Sequence, residues 1–289
     1  MRYLAGYASD RSGADALALA RMLTTGSAVD LTVCVVVPEP PRFPAPARVR
    51  DGYTTFLQTR AGHTLTRAAG IVGPEVAATY TTRPAVSAAE GLMAAADETA
   101  AGLVVLGSAR SGPVLRCSFG SVAAAVVARA RRPVALAPRG FRAVAGERLG
   151  RVTCAFTEAG GRHTSFATAA DMARRHKVPL RLVTFAVPDR QMYPVPAGSP
   201  APGLMADALR RRAEEAQARA LASLPADMKA SAVIVDGSDW KKALTATPWE
   251  PDEVLVVGAR RTGGVAGWLF GSAFTRIMRF AMVPVIVAP

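Results

Sequence analysis

LVVLGSARSGPVLRCSFGSVAAAVVARARRPVALAP, residues 103–138, and VLVVGARRTGGVAGWLFGSAFTRIMRFAMVPVIVAP, residues 254–289, are two copies of one pattern. Each runs from an apolar segment to a glycine, a polar loop, a Gly-Ser pair and a helical run. Each closes on Pro-Val-x-x-Ala-Pro. Gly107 and Gly258, Gly120 and Gly271, Pro138 and Pro289 all stand 151 residues apart, so the copies align without a gap. Arg110 matches Arg261, Gly112 matches Gly263 and Phe119 matches Phe270. A repeat of this length is a duplicated domain rather than a solenoid unit.

Working outward, each copy of the pattern ends a longer alternation. The first half reads as a strand at Tyr3–Gly6, a helix at Ala14–Leu23 and a strand at Leu31–Val37. A helix at Tyr53–Ala69, a strand at Val76–Thr81 and a helix at Ser87–Thr99 lead into the repeated block. The second half repeats the order, with strands at Arg151–Phe156, Leu180–Val187, Ala232–Val235 and Val254–Gly258. Unbroken apolar runs such as Leu31–Val37 belong to strands covered on both faces. Strands alternating with helices predict an α/β fold: two tandem domains, each a parallel-type sheet with helices on both faces. The expected boundaries are 1–139 for the first domain, 140–150 for a linker, in the Gly- and Arg-rich stretch from Arg139 to Gly150, and 151–289 for the second. Pro188–Gly203 reads as a surface loop.

The chain has 289 residues, enough for two ordinary cores. Its net charge of +13 raises the question of a nucleic-acid surface. The basic clusters lie on helical stretches, with Glu214 and Glu215 close behind Arg210–Arg212, and no aromatic residues interleave them. Solvated helix faces are therefore the better reading. Three cysteines, Cys34, Cys117 and Cys154, fit no metal spacing and point to a reducing, cytoplasmic setting. No apolar run is long enough for a membrane span. No Ser–His–Asp, HExxH or Walker A pattern is present, so the expectation is a binding protein and not an enzyme.

In parallel sheets, ligands bind at the C-terminal ends of the strands. That rule points at Gly6–Gly13, Val36-Val37 and the Gly107–Ser121 loop in the first half, with Val36, Gly107, Arg110, Gly120 and Ser121 as candidate binding residues. In the second it points at Phe156–Gly161, Ala186-Val187 and the Gly258–Ser272 loop, with Thr157, Ala186, Gly258, Arg260, Arg261, Gly271 and Ser272 as candidates. A strand-ending glycine permits a tight turn, and Gly-Ser at a helix start presents N–H groups to an anion. The same serine reads equally well as a plain helix cap.

Over nearly its whole length the chain resembles a tandem universal stress protein. Nucleotide-binding members of that family carry G-x-x-G-(nine residues)-G-[S/T] between the fourth strand and its helix. Gly107, Gly120-Ser121, Gly258 and Gly271-Ser272 match it, while Arg110 and Arg261 stand at its second glycine. The family's Asp after the first strand falls near Ala8 and Thr157, with Asp10 and Glu158 close by. The resemblance implies two five-stranded Rossmann-like domains, paired within one chain as a pseudo-dimer, with pairing between chains left open. It also implies stress-response regulation and ATP or another adenine nucleotide as ligand, with magnesium only as the nucleotide's companion. Arg260 and Thr262 make the second loop the richer in polar donors and the better expected site. A nucleotide-independent scaffold acting through protein partners is the alternative, and nucleic acid a weaker one.

Overall fold

A computed structural model describes residues 1–39, 47–143, 146–157, 164–187, 201–259 and 272–289. The chain divides into two compact units, Met1–Arg148 and Leu149–Pro289.

In the first unit, β1 (Arg2–Gly6), α1 (Arg11–Thr24), β2 (Asp30–Pro38), α2 (Ala47–Val72) and β3 (Ala78–Ala85) come first. They are followed by α3 (Ala88–Glu98), β4 (Leu103–Gly107), α4 (Ser121–Arg129) and β5 (Val134–Ala137). The strands lie in the order β3-β2-β1-β4-β5, all parallel. Helices α1 and α2 pack on one face, α3 and α4 on the other. Leu31 to Val35 are buried, as an apolar run sandwiched between helix layers must be. The chain turns one way from β1 through β2 to β3, then crosses back to β4 on the far side of β1. The C-terminal ends of β1 and β4 therefore flank the switch in strand order, where α/β sheets open a crevice.

In the second unit, β6 (Arg151–Ala155), α5 (Thr164–His176), β7 (Leu180–Ala186), α6 (Ala201–Ala222) and β8 (Ala230–Asp236) repeat the scheme. They lead to α7 (Trp240–Ala246), β9 (Glu253–Gly258), α8 (Ser272–Phe280) and β10 (Val285–Ala288). The order is β8-β7-β6-β9-β10, again parallel. Asp239 caps α7, accepting from the Lys242 N–H at 2.9 Å, as the turn at residues 236–239 leads one to expect.

Several sequence boundaries moved, among them that of α2, which runs from Ala47 to Val72 rather than from Tyr53 to Ala69. Strand β3 runs to Ala85 rather than stopping at Thr81, because it is an edge strand in register with β2 from Leu31–Ala78 to Pro38–Ala85. Pro84 is tolerated there because an edge has one side without a ladder. Helix α6 starts at Ala201, inside the stretch read as a loop, with Pro202 in its first turn where a missing N–H costs nothing. Residues 139–143 pack instead of forming a free tether. Phe141 and Ala143 are buried. The buried Asp15 carboxylate accepts from the Gly140 N–H at 2.7 Å and pairs with Arg142 at 2.5 Å.

The second unit buries an ionic network at the N-terminal ends of its strands. Glu253, fully buried, accepts from Arg181 Nη2 at 2.7 Å, Arg151 Nη2 at 2.6 Å, the Glu250 N–H at 3.0 Å and the Thr153 hydroxyl. Arg181 also bonds the Pro248 carbonyl at 3.1 Å and lies 5.3 Å over the Trp249 ring. The exposed basic clusters pair locally: Arg174 and Arg175 with Asp171, Arg210 with Glu214 and Asp236, Arg219 with Glu215. No helix among the described residues is long and apolar enough to cross a membrane.

Candidate functional site

The first unit's crevice holds a cavity of about 420 Å³, within the range of small-molecule sites. Its wall comes from the end of β1 and the turn into α1 (Gly6, Tyr7, Ala8, Asp10), from Val36 on β2, and from the β4 loop and α4 start. Of the residues selected from the sequence, Val36, Gly107, Arg110, Gly120 and Ser121 all line it. The deep part is apolar, built from buried Cys34, Leu92 and Leu106. The rim is polar and exposed, with Arg110 and Ser121.

Gly107 is required by contact rather than by turn conformation. Its φ is not in the left-handed region, but a Cβ there would lie 2.0 Å from the Ser12 carbonyl oxygen. The backbones of β4 and of the α1 start are thus in direct contact, and Ser12 Oγ fastens them by donating to the Ser108 carbonyl at 2.7 Å. In the second unit Gly258 lies against Ser165, at the same second position of its unit's first helix, with a Cβ separation of 3.2 Å to the hydroxyl.

The loop beyond Gly107 is braced from within. Ala109 N–H donates to Ser118 O at 2.9 Å, and Ser108 Oγ donates to Ala137 O at 2.6 Å while accepting from Ser118 N–H at 3.3 Å. Arg139, taken from the sequence as the start of the linker, holds the outer loop. Its carbonyl accepts from Leu115 N–H at 2.8 Å, its N–H donates to Arg116 O at 3.1 Å, and its guanidinium bonds Gly112 O. Leu115 sits at φ 57°, a left-handed conformation that this pairing sustains. Cys117 is buried in the loop with its thiol near Leu136 O at 3.5 Å, a packing role rather than an exposed redox group.

At the α4 start, Gly120 takes an extended N-cap conformation and no side chain caps the helix. A Cβ on Gly120 would meet only Ala109, at 3.6 Å or more, which is ordinary contact. The protein's own packing therefore does not demand glycine here. The first N–H groups of α4 and the positive end of its dipole open beside the cavity.

Among the described residues, Asp10 and Arg110 are the charged members of the lining. Asp10 caps α1 by accepting from Gly13 N–H at 2.8 Å, and its other oxygen pairs with Arg110 Nη2 at 2.7 Å. Arg110 thus reaches across from the β4 loop to the β1 loop. Burial pushes the Tyr7 phenol above its ordinary value, against the Ser9 hydrogen bond and Arg67, with Asp10 adding to the rise. Burial also pushes the Cys34 thiol up to about 11.

The second-half candidates sit at the matching edge of their own sheet. Thr157 follows β6 and is exposed, Ala186 closes β7, Gly258 closes β9, and Ser272 opens α8. Arg260, Arg261 and Gly271, with Trp268 and His163, lie outside the described residues. Tyr7, Ser12 and Ser108 fall within the stretches the strand-end rule points at without being singled out, and Leu92 on α3 lies outside them. The Asp10-x-x-Gly13 spacing before an Ala/Leu helix was the available signal, since it marks the N-cap that points Asp10 into the crevice.

The model of the universal stress protein family matches residues 1–138 and 150–289. The chain belongs to the universal stress protein family. A universal stress protein of Mycobacterium tuberculosis is 32% identical over 302 residues, covering 100% of both chains. A second from that species is 30% identical over 189 residues, covering 64% of this chain and 61% of the relative. Among solved structures, a universal stress protein from Archaeoglobus fulgidus matches with a TM-score of 0.66 at 16% identity, over 99% of this chain and 97% of that one. That likeness supports the fold: the tandem α/β architecture of this universal stress protein is the one its sequence predicts.

Proposed function

We propose that this universal stress protein is a regulatory binding protein whose first unit takes an adenine nucleotide in the β1–β4 crevice. The observation that carries the reading is the cavity itself. An apolar interior of Cys34, Leu92 and Leu106 suits a flat base, and the rim beside it offers an uncapped helix start, Ser121 and Arg110. Glycine at position 120, which internal packing does not demand, is explained if a ligand must approach the backbone there. The adenine class follows from the loop spacing, which is that of the family's nucleotide-binding members. In the second unit the same spacing extends the proposal to the Gly258–Ser272 loop.

Binding without rapid turnover is the role the wall supports. Among the described residues of the lining, Asp10 is the one carboxylate, it is committed to Gly13 and Arg110, and no histidine is present. Among the described residues no three His, Cys, Asp or Glu side chains converge to hold a metal. The wall therefore does not fit a protein-held magnesium ion. The alternative, a scaffold acting through protein partners, is favoured by the exposed Val114 and Leu115 at the loop tip.

The test is the nucleotide content of the purified protein, released by heat and resolved by chromatography at 260 nm, together with thermal shifts on adding adenine nucleotides. Bound nucleotide, or a rise in melting temperature at saturation, supports the reading. An empty protein that no adenine nucleotide stabilises overturns it in favour of the scaffold.

A further inference from the structure

We propose that the first unit carries a further ligand site, in the cavity towards the N-terminal ends of β1 and β2. It is built for a small hydroxylated carboxylate of the hydroxy-acid or sugar-acid class, and Arg2 takes the carboxylate. The site stands apart from the β1–β4 crevice, towards the opposite ends of the same strands.

The second unit holds its own carboxylate in the matching place. By strand register, Arg151, Arg181 and Glu253 stand there where Arg2, Thr32 and Gly102 stand in the first unit. Arg151 donates to Glu253 at 2.6 Å, and Arg181 fills the space beside them and donates to the same carboxylate at 2.7 Å. The first unit keeps the arginine and lacks both fillers. Thr32 is short, and a Cβ at Gly102 would lie 2.0 Å from Met1 Cε, so no carboxylate extends from that position. A cavity of about 270 Å³ results, just below the range of drug-sized sites. Arg2 lines it without a close anion. Its Nε is buried with no hydrogen-bond partner among the described residues, and its ion pair with Asp30 stretches to 4.0 Å. The other charges of the described wall satisfy each other, since Arg83 Nη1 meets the two Glu98 oxygens at 2.5 and 2.6 Å. A carboxylate entering the cavity therefore meets Arg2 as Glu253 meets Arg151, through a charge-assisted hydrogen bond. The remaining wall is rich in hydroxyls, from buried Thr32 and from Thr81 and Thr99. The Thr99 hydroxyl donates to Ala95 O at 2.7 Å, which leaves its lone pairs to accept from a ligand hydroxyl. A cation on one side and hydroxyls on the other select a hydroxylated carboxylate over an apolar acid or an uncharged polyol.

The experiment is NMR titration of the isotope-labelled full chain with D-glycerate and D-gluconate, against glycerol and inorganic phosphate, at fixed ionic strength. At least one of the two carboxylates is expected to shift the Thr32 and Gly102 amides and the Arg2 Nε–H saturably, with half-saturation below about 1 mM. Glycerol and phosphate are expected to bind at least about tenfold more weakly. Arg2→Gln is expected to weaken carboxylate binding at least about tenfold by removing the charged donor. Thr32→Leu leaves Arg2 in place and fills the cavity, so it is expected to abolish the shifts, with the unperturbed signals of the second unit reporting intact folding. No saturable shift with either carboxylate up to about 10 mM overturns the site. Glycerol or phosphate binding as tightly as the carboxylates overturns the ligand class, and binding that either substitution leaves undiminished overturns the placement at Arg2 and Thr32.

Discussion

Two glycines in the first loop should respond oppositely to substitution, and the contrast separates architecture from binding. A Cβ at Gly107 falls 2.0 Å from Ser12 O and 2.6 Å from its carbonyl carbon. That is short of normal contact by about 1.5 Å, and the obstacle is backbone rather than a movable side chain. Gly107→Ala must part the end of β4 from the start of α1 and break the Ser12–Ser108 hydrogen bond. Overpacking plus one lost hydrogen bond comes to about 2–4 kcal/mol, roughly 5–15 °C in melting temperature for a unit of this size. Gly120→Val meets no such obstacle, since a Cβ there has only Ala109 at 3.6–4.0 Å. Its cost is that of a poorer N-cap, about 1 kcal/mol. The added side chain, however, stands where the proposed ligand meets the helix start. The assay is differential scanning fluorimetry with and without nucleotide. Gly107→Ala should melt early in either condition, while Gly120→Val should melt near wild type and lose the ligand-induced rise. A Gly107→Ala protein as stable as wild type would refute the backbone contact. A Gly120→Val protein that still responds to nucleotide would refute the site.

Other consequences can be measured directly. Glu253→Gln should destabilise the second unit by about 3 kcal/mol in urea denaturation, because it leaves Arg181 and Arg151 without their buried anion. The His176 imidazole, pushed down to about 4 by burial and by Arg175, binds its proton in the unfolded chain before the folded one. Its contribution to stability is therefore complete above the ordinary histidine value near 6.5 and is lost as pH falls from there towards 4, by about 2–3 kcal/mol. NMR titration should place His176 near 4, and His176→Gln should flatten that part of the stability profile. Burial holds the Cys34 and Cys154 thiols up, at about 11 and 12, and Cys117 is also enclosed. Iodoacetamide at pH 8 should label none of the three in the native protein and all three after unfolding, and rapid native labelling would contradict the packing.

The layout of the two units was legible because the apolar runs and the 151-residue repeat specify strand order, and strand order specifies where a crevice opens. Val36, Gly107, Arg110, Gly120 and Ser121 were within reach of that rule alone. The Asp10–Arg110 pair was not, since it joins residues a hundred positions apart whose loops meet only once β1 and β4 lie side by side. The reason for Gly107 was also misread from the chain. A strand-ending glycine suggests a turn, whereas here it makes room for Ser12, a demand set by helix packing. Arg139 opens the Gly- and Arg-rich stretch whose composition reads as a linker, yet its backbone and guanidinium both serve the loop before it.

Among the described residues, the two units differ at the N-terminal ends of their strands. By strand register, Thr153 and Arg181 of the second unit take the places of Leu4 and Thr32 in the first, and Glu253 takes that of Gly102. Where the second unit packs Arg181 between Glu253 and Trp249, the first leaves a cavity of about 270 Å³ among Arg2, Thr32, Thr79, Arg83 and Glu98. Arg2, Thr32 and Thr79 stand towards the N-terminal ends of their strands, away from the β1–β4 crevice. At the opposite ends, the strand-ending glycine against a helix-start serine recurs in both units, as Gly107 on Ser12 and Gly258 on Ser165. A duplicated domain kept only as a spacer would be free to drift at both ends of its sheet. Divergence at the N-terminal ends, beside a contact repeated at the ends of β4 and β9, is the pattern of a frame held where those two strands meet the first helix of their units.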